Sequence, residues 1–153
     1  FEANGGYILK SKILKNGEEL QSLPTRDSVL PIVAMLALCA KEKITPAELT
    51  QKLPQKFTSS ILVKNCPVET SAKILEKVNA NTESTIQAIL GGSAQTTSVN
   101  TIDGVRITSN TGEVIHFRPS GNAPEFRCYV ESKTQTKADQ VSQAAKEFIL
   151  RLI

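Results

Sequence analysis

The 153-residue chain has no tryptophan, one histidine, one methionine and few aromatic residues, which make up 5% of the sequence. Proteins that bind single-stranded nucleic acid usually stack bases on exposed aromatic rings. Lysine and arginine exceed aspartate and glutamate by only three, 18 to 15, and they are scattered among acidic residues instead of forming a basic stripe. The composition therefore argues against a nucleic-acid partner.

Long apolar runs and paired cysteines are also missing. The longest apolar run spans residues 29–40 and contains Pro31, which is far short of the roughly 20 residues that a membrane span needs. The three cysteines, Cys39, Cys66 and Cys128, are an odd number and lie far apart, without a Cys-x-x-Cys pair. This pattern argues against a secreted disulfide scaffold. We expect reduced, buried cysteines in a cytoplasmic protein without a membrane partner.

Turn and capping residues divide the first part of the chain into short elements. Asn16-Gly17 is a strong signal for a two-residue hairpin turn. Thr45-Pro46-Ala47-Glu48 combines a capping box with proline at the first helical position. The predicted elements are a strand at 7–14, a returning segment at 18–23, a helix from Pro24-Thr25 to Cys39 with Thr25 or Asp27 as N-cap, and a short helix from Thr45 to about Leu53.

The predicted helix ending at Cys39 is apolar on nearly every side. Such a helix needs burial on several sides, more than the short N-terminal part of the chain supplies. The chain also begins with the loop-like sequence Phe-Glu-Ala-Asn-Gly-Gly, without methionine. We therefore expect a piece of a longer protein, with a boundary at Pro54 that separates residues 1–53 from residues 54–153.

Residues after Pro54 alternate between strand-like and helix-like segments. The apolar faces of the first and last predicted helices carry Ala72, Leu75 and Val78, and Ala138, Val141, Ala145, Phe148, Ile149 and Leu152. Strands are predicted at 57–64, 99–108 with a bend at Asp103-Gly104, 113–118 and 126–131, and helices at 68–78, at the C-terminus and more weakly at 82–90. This order predicts an α+β fold, a small antiparallel sheet covered by helices on one side.

One loop between two predicted strands gathers residue types that bind oxyanions. Its sequence is Arg118-Pro119-Ser120-Gly121-Asn122-Ala123-Pro124-Glu125-Phe126-Arg127. Arginine offers a planar fork of donors that suits a phosphate, and Ser120 and Asn122 add neutral donors. Gly121 would let backbone N–H groups converge into an anion-binding nest. The prolines stiffen the loop, which lowers the ordering cost of binding.

Strand alternation predicts where the two arginines of this loop point. Arg118 shares a face with Val114 and His116, whereas Arg127 points away from the apolar face formed by Phe126, Cys128 and Val130. Two arginines at the two ends of one loop can serve one anion. The alternative is an ordinary hairpin turn with two solvated arginines, and the residue types alone leave both interpretations open.

The same loop closely resembles the C-terminal phosphate-binding loop of the α-D-phosphohexomutases, a family of phosphomannomutases, phosphoglucomutases and their amino-sugar relatives. Thr101-Ile102-Asp103-Gly104-Val105-Arg106 is similar to the Asp-Gly strand that enters this region in the family. Phe1-Glu2-Ala3-Asn4-Gly5-Gly6 resembles the sugar-recognition loop of the third domain, and Thr25-Arg26-Asp27 resembles the start of the helix that follows it. The resemblance covers essentially the whole chain.

The resemblance implies a four-domain enzyme of which this chain is the C-terminal part. Residues 1–53 would be a strand–hairpin–helix remnant of the third, α/β domain, and residues 54–153 would be the C-terminal phosphate-binding domain. Full-length members interconvert hexose 6-phosphate and hexose 1-phosphate through a 1,6-bisphosphate, with a phosphoserine and Mg²⁺. The implied partners are a mannose or glucose phosphate and the missing N-terminal domains of the parent chain.

Site residues follow from the resemblance by their position in its motifs. The phosphate that is not reacting would be bound by Arg118, Ser120, Gly121, Asn122 and Arg127. The hydroxyl groups of the sugar would be bound by Glu2 and Asn4, since a carboxylate can accept hydrogen bonds from two adjacent hydroxyls.

Two parts of the family's catalytic machinery have no counterpart in the sequence. The only aspartates are Asp27, Asp103 and Asp139, too far apart in sequence to form an Asp-rich Mg²⁺ loop, and no serine stands in a recognisable phosphoserine setting. Phosphoryl transfer depends on positioning and a metal clamp. We therefore expect no catalytic residue, no metal site, no bound cofactor and no mutase activity in this chain alone.

Other functions and simpler roles stay open at this point. The chain is alternatively a fragment of a phosphoglucomutase or an amino-sugar mutase, a stand-alone anion- or nucleic-acid-binding α+β module, or a regulatory domain in which the loop is only a turn. His116 is expected to be satisfied by a neighbouring backbone group, because a lone histidine cannot build a metal site. The cysteines are expected to be structural.

Overall fold

The computed structural model describes residues 6–153, and the chain divides into two units, Phe1–Pro54 (unit 1) and Gln55–Ile153 (unit 2). The strands are β1 (Tyr7–Leu9), β2 (Ile13–Lys15), β3 (Glu18–Leu20), β4 (Leu23–Asp27), β5 (Phe57–Lys64), β6 (Thr96–Asn100), β7 (Val105–Ser109), β8 (Val114–Pro119) and β9 (Glu125–Ser132). The helices are α1 (Val29–Glu42), α2 (Pro46–Gln51), α3 (Val68–Ala80), α4 (Thr82–Leu90) and α5 (Gln135–Leu150).

Unit 1 contains two antiparallel strand pairs, β1 with β4 and β2 with β3. Asn16 and Gly17 connect β2 and β3 with φ angles of 53° and 83°, which confirms the predicted hairpin because this turn needs positive φ at both central residues. The single strand predicted at 7–14 is wrong, since residues 10–12 interrupt it and the two halves pair with different strands.

The predicted start of the first helix at Pro24-Thr25 is also wrong. These residues lie in β4, where Leu23 pairs with Leu9 of β1. The ring of a proline disfavours helical backbone angles at the residue before it, so Leu23, which precedes Pro24, suits an extended strand. The N-cap is Ser28, one residue after the predicted Asp27, although the Asp27 carboxylate accepts the N–H of Val29 at 2.7 Å. The other predicted cap, Thr25, belongs to the strand.

The capping box of α2 forms as predicted. The Thr45 hydroxyl accepts the N–H of Glu48 at 3.2 Å, and the Glu48 carboxylate accepts the N–H of Thr45 at 2.7 Å. Proline at the first helical position loses no hydrogen bond there, since that N–H has no intrahelical partner. The helix ends at Gln51, before Pro54.

Unit 2 is built around a five-stranded antiparallel sheet in the order β5-β9-β8-β7-β6. Helices α3, α4 and α5 all pack on one face of this sheet. Helix α5 lies over β5 and β9, α3 over β7 and β8, and α4 over β6 and β7. The opposite face carries no helix of unit 2, and it is called the open face below. The predicted α+β fold with one covered face is confirmed.

The core of unit 2 lies between the sheet and the helices. Alternate residues of β9 are fully buried there, and α5 contributes Ala138, Val141, Ala145 and Ile149 at helical spacing. The face predicted for α3 is partly wrong: the helix buries Ser71, Ile74 and Val78, and Ala72 is exposed. Leu75 packs at the edge of this core, and so do Phe148 and Leu152.

The extended segment predicted at 99–108 is two strands, β6 and β7, joined by residues 101–104. Gly104 has φ +83°, and a Cβ at this position would lie 2.1 Å from the carbonyl oxygen of Phe117. Only glycine fits such a turn, because both the positive φ and the close approach exclude a side chain. The turn is therefore held directly against β8. The weakly predicted helix at 82–90 is α4, separated from α3 by Asn81 alone.

Within residues 6–153, no helix is long and apolar enough to cross a lipid bilayer.

Candidate functional site

The loop predicted to bind an anion connects β8 to β9 at one end of the sheet. Arg118 of β8 lies directly opposite Arg127 of β9, and His116 lies opposite Tyr129. Directly opposite residues of an antiparallel pair share one face. Phe117 and Phe126 are fully buried on the helix side, so the arginines project from the open face. The predicted alternation of both strands is confirmed.

Backbone hydrogen bonds hold the loop at both ends. The N–H of Ser120 donates to the carbonyl of Glu125 at 2.9 Å and closes the hairpin, and the N–H of Glu125 donates to the carbonyl of Ala123 at 2.7 Å. The N–H of Cys66, just beyond β5, donates to the carbonyl of Pro124 at 2.9 Å. The loop is thus also hydrogen-bonded to the segment that follows β5. Little conformational entropy is therefore left for the loop to lose if it binds a ligand.

Several donors at the tip of the loop remain available. The Ser120 hydroxyl oxygen accepts the N–H of Asn122 at 3.4 Å, which leaves its own hydrogen free to donate outward. The backbone N–H groups of Gly121 and Ala123 donate to no acceptor within residues 6–153. Gly121 lacks positive φ, so the convergence of N–H groups predicted at Gly121 would not use a left-handed residue. A Cβ there would meet nothing within 4 Å, so the glycine leaves open space above the loop.

Arg118 is held by an aspartate from the turn between β6 and β7. The two carboxylate oxygens of Asp103 lie 2.9 Å and 3.0 Å from Nε of Arg118. The hydrogen bond to Asp103 raises the pKa of Arg118 above its ordinary value against the opposing effect of burial, and the neighbouring Tyr129 acts in the same direction as Asp103. The guanidinium is therefore a permanent cation.

Arg127 has a looser environment. Hydrogen bonds to the Tyr129 phenol, the larger effect, and to the Glu125 carboxylate raise the pKa of Arg127. A carboxylate oxygen of Glu125 lies 3.4 Å from an Nη nitrogen of Arg127. A shallow groove of about 270 Å³ borders Arg127 and Tyr129 and is also lined by Ser60 and Leu62 of β5. The arginine that faces this groove is thus less constrained than Arg118.

Two cations directly opposite each other in a sheet repel, which is unfavourable unless other charges compensate. Here each arginine has one carboxylate beside it, Asp103 for Arg118 and Glu125 for Arg127. A third arginine of the open face, Arg106, pairs with Glu131 at 3.1 Å. Each arginine at the loop is therefore compensated by a carboxylate, and the three arginines of the open face do not form an uncompensated basic stripe.

The single histidine has a structural contact, as predicted. The Nε2–H of His116 donates a hydrogen bond to the backbone carbonyl of Asp103. The centroid of the imidazole ring lies 5.9 Å from the centroid of the Tyr129 ring. The three cysteines are buried and free, also as predicted. Burial raises the pKa of the Cys128 thiol to about 12, so this thiol is not a nucleophile at neutral pH.

The described residues do not suit the Mg²⁺ that the resemblance implies for the parent enzyme. Within residues 6–153, no three histidine, cysteine, aspartate or glutamate side chains lie close enough together to hold a metal ion. Asp103 and Glu125, the carboxylates beside the loop arginines, are already engaged with Arg118 and Arg127. No step of a reaction is therefore assigned to a metal in this chain.

The two predicted sugar-binding residues, Glu2 and Asn4, lie outside the described residues. Two further neighbours of the arginine pair, Asp103 and Tyr129, were not predicted from the sequence as parts of the site. The turn at residues 110–112, which joins β7 to β8, positions Asp103 indirectly. It sets the register in which Val105 pairs with Phe117, which brings the preceding turn beside Arg118.

Comparison with known proteins identifies the class to which this fold and loop belong. The family model described as "Phosphoglucomutase/phosphomannomutase, C-terminal domain" matches residues 63–147, which include the whole β8–β9 loop. The chain belongs to the phosphoglucomutase/phosphomannomutase family.

Two relatives are named phosphomannomutase. The one from Salmonella muenchen is 40% identical over 138 residues, 90% of this chain and 28% of the relative. The one from Sinorhizobium fredii is 36% identical over 143 residues, 92% of this chain and 30% of the relative. A probable phosphoglucosamine mutase from Methanothermobacter thermautotrophicus is 33% identical over 88 residues, 58% of this chain and 18% of the relative. The chain thus spans less than a third of these relatives.

Proposed function

We propose that the chain is the C-terminal phosphosugar-binding part of a phosphomannomutase-type enzyme. In the parent, hexose 6-phosphate and hexose 1-phosphate would be interconverted through a 1,6-bisphosphate. The observation that carries the proposal is the arginine pair, Arg118 opposite Arg127, at the mouth of a loop with open backbone donors. The names of the two relatives that are 40% and 36% identical over about nine-tenths of this chain favour mannose phosphate over other sugars.

The roles of the site residues follow from their contacts. Arg118 would bind two phosphate oxygens through its terminal nitrogens, and Arg127 would reach the same group from the opposite strand. Ser120 would donate its hydroxyl hydrogen, Gly121 its N–H and Asn122 its side-chain amide. Within the described residues no general base is hydrogen-bonded to the Ser120 hydroxyl, so the site would bind and orient the phosphate that does not react.

The rest of the substrate and the chemistry would come from elsewhere in the parent. Glu2 and Asn4 are proposed to bind sugar hydroxyls, and the phosphoserine and Mg²⁺ ligands are proposed to lie outside this chain. We therefore expect no mutase activity from this chain alone. Binding by one loop without the enclosing domains should be weak, with a Kd on the order of 1 mM, or about −4 kcal/mol.

The apolar surface of unit 1 supports a larger parent. Helix α1 exposes Val29, Ile32, Val33 and Leu36, and an apolar groove of about 460 Å³ lies between α1 and the strands of unit 1. Such a surface is costly in water. We propose that further domains of the parent cover it.

The test is an amide NMR titration of the chain with mannose 1-phosphate, glucose 1-phosphate and inorganic phosphate. We expect shifts at 118–127 with all three and tighter binding of the sugar phosphates if residues 1–6 contribute. Arg118→Ala should abolish the shifts below about 10 mM ligand, since a charge-assisted bidentate contact is lost. Arg118→Lys, which keeps the charge but loses the planar fork, should bind several-fold more weakly.

Arg106→Ala is the matched control, because Arg106 lies on the same face but pairs with Glu131 away from the loop. Equal weakening by Arg106→Ala and Arg118→Ala would indicate general attraction to a basic face and contradict the proposed site. Binding of oligonucleotides with a steep salt dependence would favour the nucleic-acid alternative. Turnover of mannose 1-phosphate by the purified chain would refute the expectation of inactivity.

A further inference from the structure

The Asp103 carboxylate lies in contact with Arg118, the arginine proposed to bind the phosphate. A carboxylate in this place can act in two opposite ways. It can compete with the phosphate for the guanidinium and repel it, or it can hold the guanidinium in the orientation that the phosphate needs. The geometry of the contact distinguishes these two roles.

The contact uses only one edge of the guanidinium. Both carboxylate oxygens of Asp103 lie at Nε of Arg118, at 2.9 Å and 3.0 Å. Arginine has five N–H donors, one on Nε and four on the two Nη nitrogens. The four Nη donors, which form the fork that grips a phosphate, are therefore not the ones bound to Asp103.

The carboxylate is itself attached to a rigid turn. Gly104, the next residue, adopts φ +83° and packs so closely on the carbonyl of Phe117 that no side chain fits. The backbone carbonyl of Asp103 pairs with His116, and Val105 pairs with Phe117 in the ladder of β7 and β8. Asp103 is thus fixed to β8 at the strand position next to Arg118, which suits an orienting role better than a displaceable one.

Glu125 provides the contrast within the same site. Its carboxylate lies 3.4 Å from an Nη nitrogen of Arg127, a longer contact to the end of the guanidinium that a phosphate would use. Glu125 and Asp103 carry the same charge, but only Asp103 binds its arginine through Nε. The two acids should therefore affect phosphate binding in opposite directions.

We propose that Asp103 is a positioning residue that orients Arg118 through Nε and leaves the Nη fork directed at the phosphate. The inference rests on the proposed function of the loop. Its physical basis is entropic. Because Asp103 holds the Arg118 side chain, the rotational freedom of that side chain is lost on folding, and the phosphate does not have to order it on binding.

The test compares Asp103→Ala, Asp103→Asn and Glu125→Ala in the full chain, with inorganic phosphate and mannose 1-phosphate as ligands. Asp103→Ala should weaken binding about fivefold although it removes a negative charge beside the site, because an unheld arginine must be ordered by the ligand. Asp103→Asn keeps an oxygen that accepts from Nε, so it should bind as well as the unmodified chain or better. Glu125→Ala should bind equally or more tightly.

A second measurement needs no ligand. The ¹⁵N relaxation of Nε should report an ordered Arg118 side chain in the unmodified chain and in Asp103→Asn, and a mobile one in Asp103→Ala. Nε of Arg127 should be unchanged in all three. Amide spectra of β8 and β9 that match the unmodified chain would show that the variants are folded.

Tighter phosphate binding by Asp103→Ala, comparable to Glu125→Ala, would overturn the inference and identify Asp103 as a competitor. An Arg118 Nε that stays equally ordered in Asp103→Ala would also overturn it. If the unmodified chain itself shows no phosphate-dependent shifts, the proposed function fails and the inference fails with it. That pattern is distinct, because failure of the inference alone leaves the unmodified chain binding phosphate.

Discussion

At the scale of single residues, Glu113 shows how a buried charge is stabilised in this fold. Only 6% of its surface is exposed. Its carboxylate accepts hydrogen bonds from the hydroxyls of Ser109 at 3.2 Å, Ser132 at 3.4 Å and Thr111. Burial acts to raise the pKa of Glu113, but the hydrogen bonds and the charge of Lys137 outweigh it, so the pKa lies below its ordinary value. The ionised form is thus the one that the fold stabilises.

We predict that Glu113→Gln lowers the free energy of unfolding by about 1–2 kcal/mol at pH 7, because charge-assisted hydrogen bonds are replaced by neutral ones. The effect should depend on pH. A carboxyl whose pKa is lower in the folded state adds stability above its unfolded pKa and loses it as the pH falls through the folded pKa. Urea unfolding of both chains between pH 7 and pH 3 measures this.

The two chains should therefore converge in stability at the acidic end of that range. Asp139→Asn serves as control, since Asp139 lies on the exposed side of α5. A stability difference between Glu113→Gln and the unmodified chain that stays constant over the whole pH range would mean that packing, not the charge of Glu113, is responsible.

At the scale of elements, the hairpin of β6 and β7 sets the geometry of the phosphate loop from one side. Its turn brings Asp103 to Arg118 across 15 residues of sequence and rests on β8 through Gly104. On the other side, the hydrogen bond from Cys66 to Pro124 ties the loop to the end of β5. The loop is therefore shaped by three neighbouring elements as well as by its own prolines.

We predict that Gly104→Ala destabilises the chain by at least about 2 kcal/mol, because a Cβ at positive φ would overlap the carbonyl of Phe117. Gly121→Ala is the matched control. Gly121 lacks positive φ and has open space around it, so its substitution should change stability by less than about 0.5 kcal/mol. Urea denaturation checks both. Similar stabilities for the two variants would contradict the tight packing of the β6–β7 turn.

At the scale of the whole molecule, burial is distributed unequally between the two units. The hydrophobic core cluster runs from Val63 to Ile149 and lies entirely within unit 2. In the described part of unit 1, Leu9 and Cys39 are the buried hydrophobic residues, and α1 exposes most of its large apolar side chains. Unit 2 thus has what an independent domain needs, whereas unit 1 does not.

We predict that residues 55–153 expressed alone fold cooperatively, with amide chemical shifts of β5 to β9 close to those of the full chain. Residues 1–54 alone should show no cooperative thermal transition, because they bury too little apolar surface to offset chain entropy. Circular dichroism melting and amide NMR of the two pieces measure this. Poor amide dispersion in the 55–153 piece would show that its core depends on unit 1.

Element positions were predictable wherever the signal was local. The Asn16-Gly17 turn, the capping box at Thr45 and the strand at 57–64 all formed as expected, because a few adjacent residues determine them. The start of α1 was mispredicted because pairing between β1 and β4 outweighed the helix signal of Pro24. Ala72 was assigned to the buried face because its helical spacing fits, but the neighbouring Ile74 offers more apolar surface to the sheet.

The family, the α+β class and the residue types of the anion loop could be read from local patterns, because alternation, caps and motif spacing are properties of neighbouring residues. The carboxylate that meets Arg118, in contrast, follows from the three-dimensional arrangement of the strands. Asp103 and Arg118 are brought together by the register of β7 with β8, and Arg118 meets Arg127 through the register of β8 with β9. Such contacts depend on the packing of several strands at once, so no local pattern contains them.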